Sequence, residues 1–398
     1  MKKKIYNVTF EELLQAYYDC IKRKKSTQGA IEFECDRYWN LKVLLNDLNN
    51  GTYEIGYSST FIVCYPVYRE VFAGDFRDRI VHHLLINKIN HIFEEKAFIN
   101  DAYACRIGRG TLYGVKRLES SIRSCSENYT KETYVFKGDL KSFFMTIDKS
   151  LLYEKLSSFI TENSSFYNIS EKELDFILWL SKKIIFHTPQ KKCIIKGNSY
   201  LWKKLPLDKS LFSCDNNHGL PIGNLTSQIF ANFFLSFFDK YVTETLNFKY
   251  YGRYVDDFYI VDCNKEKIKK SINKIDTFLK EYGITLHPKK IYLQNINKGV
   301  KFVGGVVKPN RIYVSNRTKG NFYKKICGIN KKFINNEKIT IENIIKTESY
   351  INSYIGHMIY YNTFKLRKKL LDNILSDKAK KYYKISKTYN KVTVRLSC

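Results

Sequence analysis

Two adjacent aspartates, Asp256 and Asp257, lie inside the apolar and aromatic segment 250–261. The β-branched and aromatic residues on both sides predict two strands with the acidic pair at the turn between them. Two carboxylates in so apolar a setting are costly unless a cation lies between them, and their hard oxygens suit Mg²⁺. A solvated turn would explain an arbitrary Asp-Asp pair, but these flanks are too apolar for a simple surface turn.

A third carboxylate, Asp139, follows the predicted strand 134–136. Carboxylates from two strands can hold two metal ions about 4 Å apart, and such a pair catalyses phosphoryl transfer. One ion would activate an attacking hydroxyl, and the other would stabilise the leaving oxygen. We therefore expect two Mg²⁺ ions, for which Mn²⁺ is a possible substitute. The expected catalytic and metal-binding residues are Asp139, Asp256 and Asp257, with Leu140 counted among the metal ligands.

The net charge of +28 indicates a large polyanionic partner. Nucleic acid is the first candidate, because neutralisation of phosphates supplies most non-specific affinity. A membrane surface is a weaker alternative, since no basic amphipathic helix with a clean apolar face stands out. A compositional bias would explain only part of the excess. From residue 301 onward, 22 Lys and Arg stand against 5 Asp and Glu, so +17 of the charge lies in this region.

Length and cysteine usage limit the class of protein further. The 398 residues suggest two or three subdomains around one sizeable core. The ten cysteines include no C-x-x-C pair, which argues against a zinc site and indicates reduced thiols. The basic run at 2–4 is not followed by an apolar leader, and no stretch of 18 apolar residues occurs. We expect a cytoplasmic protein without membrane attachment.

Local patterns predict several elements. Thr9 and Glu12 form a capping box that predicts a helix to about Ile21. The apolar pattern over 341–375 predicts helical structure. The segment 189–218, in which lysines alternate with aromatic residues, is expected to be an inserted basic loop or hairpin with either an RNA or a protein partner. The tail from Lys378 onward is expected to be peripheral and frayed.

In their order and spacing, Asp139 and the Tyr-x-Asp-Asp hairpin resemble motifs A and C of the polymerase palm, and more narrowly those of reverse transcriptases. The sequence GLPIGNLTSQ at 219–228 resembles motif B. Most reverse transcriptases carry Gln two residues after the Leu of this turn, where this chain has Ile222. This pattern, with Tyr-Ala-Cys-Arg at 103–106 and Gly-His at 356–357, is similar to the reverse transcriptases of diversity-generating retroelements, which are related to group II intron enzymes.

This resemblance covers roughly residues 8–375. It implies an α+β, right-hand polymerase fold with fingers, a ferredoxin-like palm whose antiparallel sheet packs on helices, and a helical thumb. The fingers would comprise residues 1–133 with the N-terminal helices. The palm would comprise 134–307 and carry the insertion at about 189–218. The basic helical thumb and the C-terminal tail would comprise 308–398.

The resemblance also implies which residues meet the nucleotide. Arg69 would hold the incoming triphosphate, because a bidentate guanidinium suits phosphate oxygens. Phe144 would be the steric gate that excludes a ribose 2′-hydroxyl, so the product would be DNA. A lysine after Pro288 would protonate the leaving pyrophosphate or only neutralise phosphate. The remaining residues expected beside the nucleotide are Phe143 (alternatively a core residue), Ile222, Gly223, Lys289 and Lys290.

Contacts to nucleic acid are expected from two glycine-containing segments and the fingers. The loop at 106–110 would bring its backbone and two arginines to phosphates. The sequence KFVGGVV at 301–307 resembles the primer grip. Arg79 would contact the template or pair with nearby acids. The expected nucleic-acid-binding residues are Arg79, Arg106, Arg109, Gly304 and Gly305.

By this resemblance the chain would copy a template RNA into cDNA, with errors concentrated at template adenines. Its partners would be template RNA, an RNA/DNA duplex, dNTPs and, by analogy, a small basic accessory protein that forms a ring. Ile222 offers a reason for low fidelity, since an apolar side chain penalises a misplaced base less than a hydrogen-bonding Gln. Two alternatives remain: an antiphage defence reverse transcriptase that makes repetitive or non-mutagenic DNA, and a non-catalytic RNA-binding scaffold. The oligomeric state is open.

Overall fold

The computed structural model describes residues 5–22, 24–64, 67–335 and 339–395. The basic run at 2–4 lies outside them. Contacts divide the chain into two compact units. The first unit is drawn from Met1–Cys105, Lys137–Phe258 and Glu266–Ile291, and the second from Arg106–Phe136, Tyr259–Lys265 and Tyr292–Cys398. The division into fingers, palm and thumb stays a prediction.

The helices account for most of the regular structure in the described residues. They are α1 (Phe10–Ile21), α2 (Gln28–Cys35), α3 (Arg37–Asn49), α4 (Phe76–Ile92), α5 (Thr111–Cys125), α6 (Phe143–Thr146), α7 (Lys149–Ser164), α8 (Glu171–Ile185), α9 (Leu225–Phe234), α10 (Ser236–Lys240), α11 (Lys265–Glu281), α12 (Asn316–Asn335), α13 (Ile341–Met358), α14 (Phe364–Lys368) and α15 (Asp377–Lys380).

The strands of the described residues form four small sheets. They are β1 (Ser58–Val63), β2 (Arg69–Ala73), β3 (Tyr134–Asp139), β4 (Cys193–Ile195), β5 (Tyr250–Tyr254), β6 (Asp257–Asp262), β7 (Tyr292–Asn295), β8 (Val300–Phe302), β9 (Gly305–Lys308), β10 (Arg311–Val314), β11 (Tyr383–Ile385) and β12 (Val392–Val394). The sheet orders are β2-β1-β4, β5-β6-β3-β7, β10-β9-β8 and β11-β12. The chain is thus an α+β protein.

Local signals predicted the first helix correctly. The Thr9 hydroxyl accepts from the Glu12 backbone N–H, and the Glu12 carboxylate accepts from the Thr9 N–H, so the capping box is confirmed. α1 ends at Ile21, as predicted, and its buried face includes Leu13 and Tyr17. The helical structure predicted over 341–375 is present, but it is interrupted: α13 ends at Met358, and α14 begins at Phe364 and continues into a π-helical turn over Lys369–Ile374.

The predicted loop at 189–218 is an ordered part of the first unit. Short 3₁₀ turns make up half of it, and β4 lies parallel to β1, with Ser58 opposite Cys193 and Thr60 opposite Ile195. A parallel partner distant in sequence leaves no local signal, so composition alone indicated a loop.

The expectation of a frayed tail is wrong for the part of it that the structure describes, up to residue 395. β11 and β12 pair as an antiparallel hairpin. Tyr383 and Val392 are buried, and the Tyr383 hydroxyl donates to the Ile344 carbonyl oxygen at 3.1 Å. The apolar surface that these side chains bury stabilises the hairpin.

Two expectations about composition can be compared with the structure. The nine cysteines among the described residues are free thiols. Across the same residues, no helix combines the length and the apolar character needed to cross a membrane.

Candidate active site

The acidic pair lies at a two-residue turn between β5 and β6. Val255 opens the turn with φ of +57°, a left-handed conformation that a β-branched residue rarely adopts and that costs about 1–3 kcal/mol. The Arg253 guanidinium donates to the Val255 carbonyl oxygen at 3.0 Å, which helps to hold this conformation. The turn places Asp256 at its tip and Asp257 at the start of β6, where the next four residues are buried.

β3 lies next to β6 and brings Asp139 to the same place. The backbone N–H of Leu140 donates to the Asp256 carbonyl oxygen at 3.1 Å. Gly138 permits this approach, because a Cβ there would lie 2.2 Å from the ring of Phe258. The structure therefore brings together the three predicted carboxylates and Leu140, which is itself buried.

Two lysines provide the counter-charge in this structure. Lys290 Nζ lies 2.9 Å from Asp139 Oδ1 and 3.1 Å from Oδ2. Lys137 Nζ lies 2.6 Å from Asp257 Oδ1, and both of these side chains are mostly buried. Lys137 is thus the counter-ion of this buried Asp257 oxygen.

Burial and mutual repulsion raise the pKa values of two of the carboxylates. The pKa of Asp257 is raised to about 6: burial raises it most, Lys137 opposes the rise, and the charges of Asp256 and Asp139 add to it. Burial also raises the pKa of Asp256, and the charge of Asp139 adds to this effect. Lys290 and Arg69 lower the pKa of Asp256, so both cations lie near enough to act on it.

The donor set fits a divalent metal ion. It offers hard carboxylate oxygens, one of them buried with Lys137 as its counter-ion, in a cluster whose mutual repulsion a cation would relieve. Asp139 and Asp257 contact the two lysines. In the described part of the chain, no three His, Cys, Asp or Glu side chains are positioned to hold a metal ion together. A metal would displace these ammonium groups from the oxygens that they now contact.

The residues predicted to shape the nucleotide pocket share one apolar cluster. Phe144 and Ile222 are partly buried and pack against Phe72, Met145 and Leu211. Ile222 also accepts, through its carbonyl oxygen, a hydrogen bond from the Phe72 N–H at 2.8 Å, which ties motif B to β2.

The neighbouring positions differ in their surroundings. Phe143 is buried, in line with the core alternative, and its ring lies 5.7 Å from that of Phe144 in an edge-on arrangement. Gly223 has φ of +130°, and a Cβ there would lie 2.6 Å from the Phe72 carbonyl oxygen, so both conformation and space require glycine. Arg69 is exposed at the start of β2.

The two lysines after Pro288 have different environments. Lys290 contacts Asp139. Lys289 is exposed, and its backbone N–H donates a hydrogen bond to the His287 ring at 3.2 Å. Arg79 donates to the Gly74 carbonyl oxygen at 2.8 Å, which fixes its guanidinium to its own segment.

The other predicted nucleic-acid contacts belong to the second unit. Arg106 is buried, whereas the Arg109 guanidinium lies over the Tyr113 ring, 5.3 Å from its centroid. Gly304 has φ of +91°. At Gly305 a Cβ would lie 2.8 Å from Val115, so close packing inside the unit already requires this glycine.

Two charged residues of the site were missed by sequence reasoning. Lys137 lies two positions before Asp139 in β3, and its spacing places it on the same face of the strand, which is a signal that could have found it. Arg253 lies inside the hairpin motif itself, but its partner Asp239 lies on α10, so no local pattern reveals the pair.

Comparison with known proteins identifies the family. Residues 68–307 match the family described as reverse transcriptase (RNA-dependent DNA polymerase). The chain belongs to this family. The match includes the acidic cluster, Arg69 and the motif B turn, and it confirms the predicted right-hand polymerase fold and the predicted membership of the reverse transcriptases.

Individual relatives are distant. Protein YkfC of Escherichia coli strain K12 is 26% identical over 168 residues, which are 42% of this chain and 35% of that protein. The chain thus spans about a third of the length of this curated relative. Among solved structures, apo telomerase from Candida tropicalis has a TM-score of 0.49 at 14% identity, over 82% of this chain and 57% of that chain. Telomerase from Candida albicans in complex with a fragment of telomeric RNA has a TM-score of 0.47 at 12% identity, over 83% and 59%.

Proposed function

We propose that this reverse transcriptase copies a retroelement template RNA into cDNA by two-metal phosphoryl transfer. The single observation that supports this most is the convergence of Asp139, Asp256 and Asp257, near the charge of Arg69, in one compact unit of a chain that belongs to the family. Template RNA, the RNA/DNA duplex and dNTPs are the proposed substrates, and a small accessory protein is a proposed partner by analogy.

In this proposal Asp139, Asp256, Asp257 and the backbone of Leu140 hold two Mg²⁺ ions. When bound, these ions would activate the primer 3′-hydroxyl and stabilise the triphosphate and its leaving pyrophosphate. Lys290 would leave Asp139 and be available to phosphate oxygens. Arg69 would orient the triphosphate through paired N–H donors. Phe144, fixed on the Phe72 cluster, would exclude a ribose 2′-hydroxyl by its bulk.

The mutagenic subtype is supported by the packing of Ile222. Its side chain lies in an apolar cluster that also contains Phe144, so the floor of the proposed pocket holds an incoming base pair by shape alone. A pocket without hydrogen-bonding groups discriminates weakly between correct and misplaced bases.

Sequencing the DNA that forms when the chain is expressed with its neighbouring locus tests this function. We expect complementary DNA of one flanking repeat, with substitutions clustered opposite template adenines. Accurate copies, tandem repeats or low-complexity DNA would contradict the mutagenic subtype and support the antiphage alternative. If wild-type protein with its locus bound RNA but formed no DNA, the polymerase proposal would be wrong and the scaffold alternative would replace it.

Replacing Ile222 by glutamine is expected to lower the error rate at template adenines by about tenfold or more, because the amide restores hydrogen bonds that depend on pairing geometry. The measurement is the substitution frequency per template base in the same sequencing experiment. Ile222→Met, which keeps an apolar side chain of similar volume, is the matched control and should keep the wild-type error spectrum. Equal error spectra for the glutamine and methionine variants would contradict this role of Ile222.

Mg²⁺ is expected to stabilise the protein more at about pH 8 than at about pH 5. The pKa of Asp257 is raised to about 6, so its ionised form is disfavoured in the folded chain and this group lowers stability as pH rises toward that value. Mg²⁺ binds the ionised carboxylate and therefore competes with protons over the same range.

Thermal unfolding with and without excess Mg²⁺ at both pH values measures this effect. Asp257→Asn should lose most of the pH dependence of the Mg²⁺ shift, whereas Asp276→Asn, on the surface of α11, should keep it. A Mg²⁺ shift of equal size at both pH values would show that the cation binds elsewhere.

A further inference from the structure

The segment 189–213 is fixed to the strand that carries Arg69. Its anchor is Glu70, a buried carboxylate on β2. Glu70 Oε1 accepts from Trp202 Nε1 and from the Ser210 hydroxyl, both at 2.8 Å, and Oε2 accepts from the Leu211 backbone N–H at 2.6 Å. Three hydrogen bonds to one buried carboxylate, together with the pairing of β4 to β1, hold the segment in a defined position.

The inward side of this segment is apolar. Leu211 belongs to the buried cluster of Phe72 and Met145, and Cys193 and Cys214 pack against the same cluster. One face of the segment therefore packs against the protein interior, and its opposite face is exposed to solvent.

The opposite face is both basic and aromatic. Residues 189–218 contain six lysines and two aspartates, and all six lysines are exposed. Tyr200 is 56% exposed, and the ammonium groups of Lys203 and Lys204 each lie 5.6 Å from its ring centroid. Beside β1, the exposed ring of Tyr57 has Lys192 Nζ at 4.5 Å. We call these two exposed clusters, Tyr57 with Lys192 and Tyr200 with Lys203 and Lys204, the insertion face.

We propose that the insertion face binds single-stranded RNA. Exposed aromatic rings can stack on bases only where the bases are unpaired, and lysines beside each ring can meet the phosphates that flank a stacked base. A duplex would present its phosphates but no open base faces. An acidic protein segment would match the charge but would leave the two exposed tyrosines without a role.

This inference rests on the proposed function for the identity of the RNA, which would be an unpaired part of the template. RNA binding at this face does not require DNA synthesis, so the two proposals can fail separately. If the wild-type protein makes no DNA but the insertion-face variants lose RNA binding, the result supports this inference and not the proposed function. DNA synthesis by the wild-type protein, with unchanged RNA binding in those variants, would support the function alone.

The test uses the full chain and a short unstructured RNA with a fluorescent label. Tyr200→Ala is expected to weaken binding about fivefold or more, because stacking on one base contributes on the order of 1–3 kcal/mol. Tyr200→Phe keeps the ring and should bind as the wild type does. Because Tyr200 is exposed, all variants should unfold at the wild-type temperature.

The charge component is tested by the dependence of affinity on salt. Lys203→Ala with Lys204→Ala should reduce the magnitude of the slope of log affinity against log salt by about 1.4, or about 0.7 for each phosphate that a lysine no longer neutralises. The matched control is Lys270→Ala with Lys274→Ala, which removes two exposed lysines of α11 in the same unit. We expect this control to change the slope by less than half as much.

Crosslinking with photoreactive uridine in the same RNA locates the binding site. Crosslinked peptides from residues 189–213 should exceed those from α11, and Tyr200→Ala should reduce them. Crosslinks spread evenly over both segments, or equal salt slopes for the two double variants, would overturn the proposal. Unchanged RNA binding in all insertion-face variants, combined with the loss of an acidic protein that the wild type retains, would replace RNA by a protein partner.

Discussion

Asp256→Asn is expected to abolish DNA synthesis and to leave RNA affinity nearly unchanged. The side chain lies at the tip of the β5–β6 turn, where burial and the charge of Asp139 already raise its pKa. In the proposed mechanism it helps to hold ions that stabilise the transition state by several kcal/mol, so we expect a loss on the order of 10³-fold or more. RNA affinity depends on the charge of the whole surface, and one neutralised carboxylate changes a net charge of +28 very little.

Primer extension on an RNA template and equilibrium binding of the same RNA measure the two quantities. Asp276→Asn removes the same charge from the surface of α11 and should affect neither. Unfolding without divalent cations adds a third readout, since removal of a partly buried, repelled carboxylate should not destabilise the Asp256→Asn protein. Equal loss of synthesis and RNA binding in Asp256→Asn would contradict the assignment of Asp256 as a metal ligand. Full synthesis by this variant would contradict it as well.

The acidic cluster could be predicted because its signals are local in sequence. Two β-branched and aromatic runs around Asp256 and Asp257 indicate a hairpin without any tertiary information. The strand before Asp139 is indicated in the same way, and each of these strands is present. The roles of the carboxylates rest on chemistry that the described residues suit, and they stay predictions.

The parts that were missed depend on contacts between distant segments. Glu70 is one acidic residue in a short strand, and nothing beside it in sequence indicates that Trp202, Ser210 and Leu211 will donate to it. Without that anchor, the lysine-rich composition of 189–218 indicated a loop. The C-terminal tail was predicted to fray for the same reason, since lysines surround Tyr383, whose burial depends on a partner in α13.

The same limit applies to the charged network behind the active site. Arg253 and Asp239 are both fully buried. Arg253 Nε and Nη2 donate to the two Asp239 oxygens at 2.6 Å each, and Nη1 donates to Asn232 Oδ1 at 2.9 Å and to the Val255 carbonyl oxygen. The Tyr251 hydroxyl also donates to Asp239 at 2.6 Å. One guanidinium thus connects β5, α9, α10 and the turn that presents the acidic pair.

Arg253→Leu is expected to destabilise the protein by about 3–5 kcal/mol, because it leaves the Asp239 carboxylate buried without its counter-ion. The midpoint of urea unfolding, followed by circular dichroism, measures this loss. Arg253→Leu with Asp239→Leu should recover much of the stability, since an apolar pair can replace a buried ion pair. That double variant should still synthesise DNA poorly, because the Val255 carbonyl oxygen no longer has its Arg253 donor and the left-handed turn is no longer held. A single variant within about 1 kcal/mol of the wild type would contradict the structural role of the pair. Full synthesis by the double variant would show that Arg253 is not needed to hold the turn.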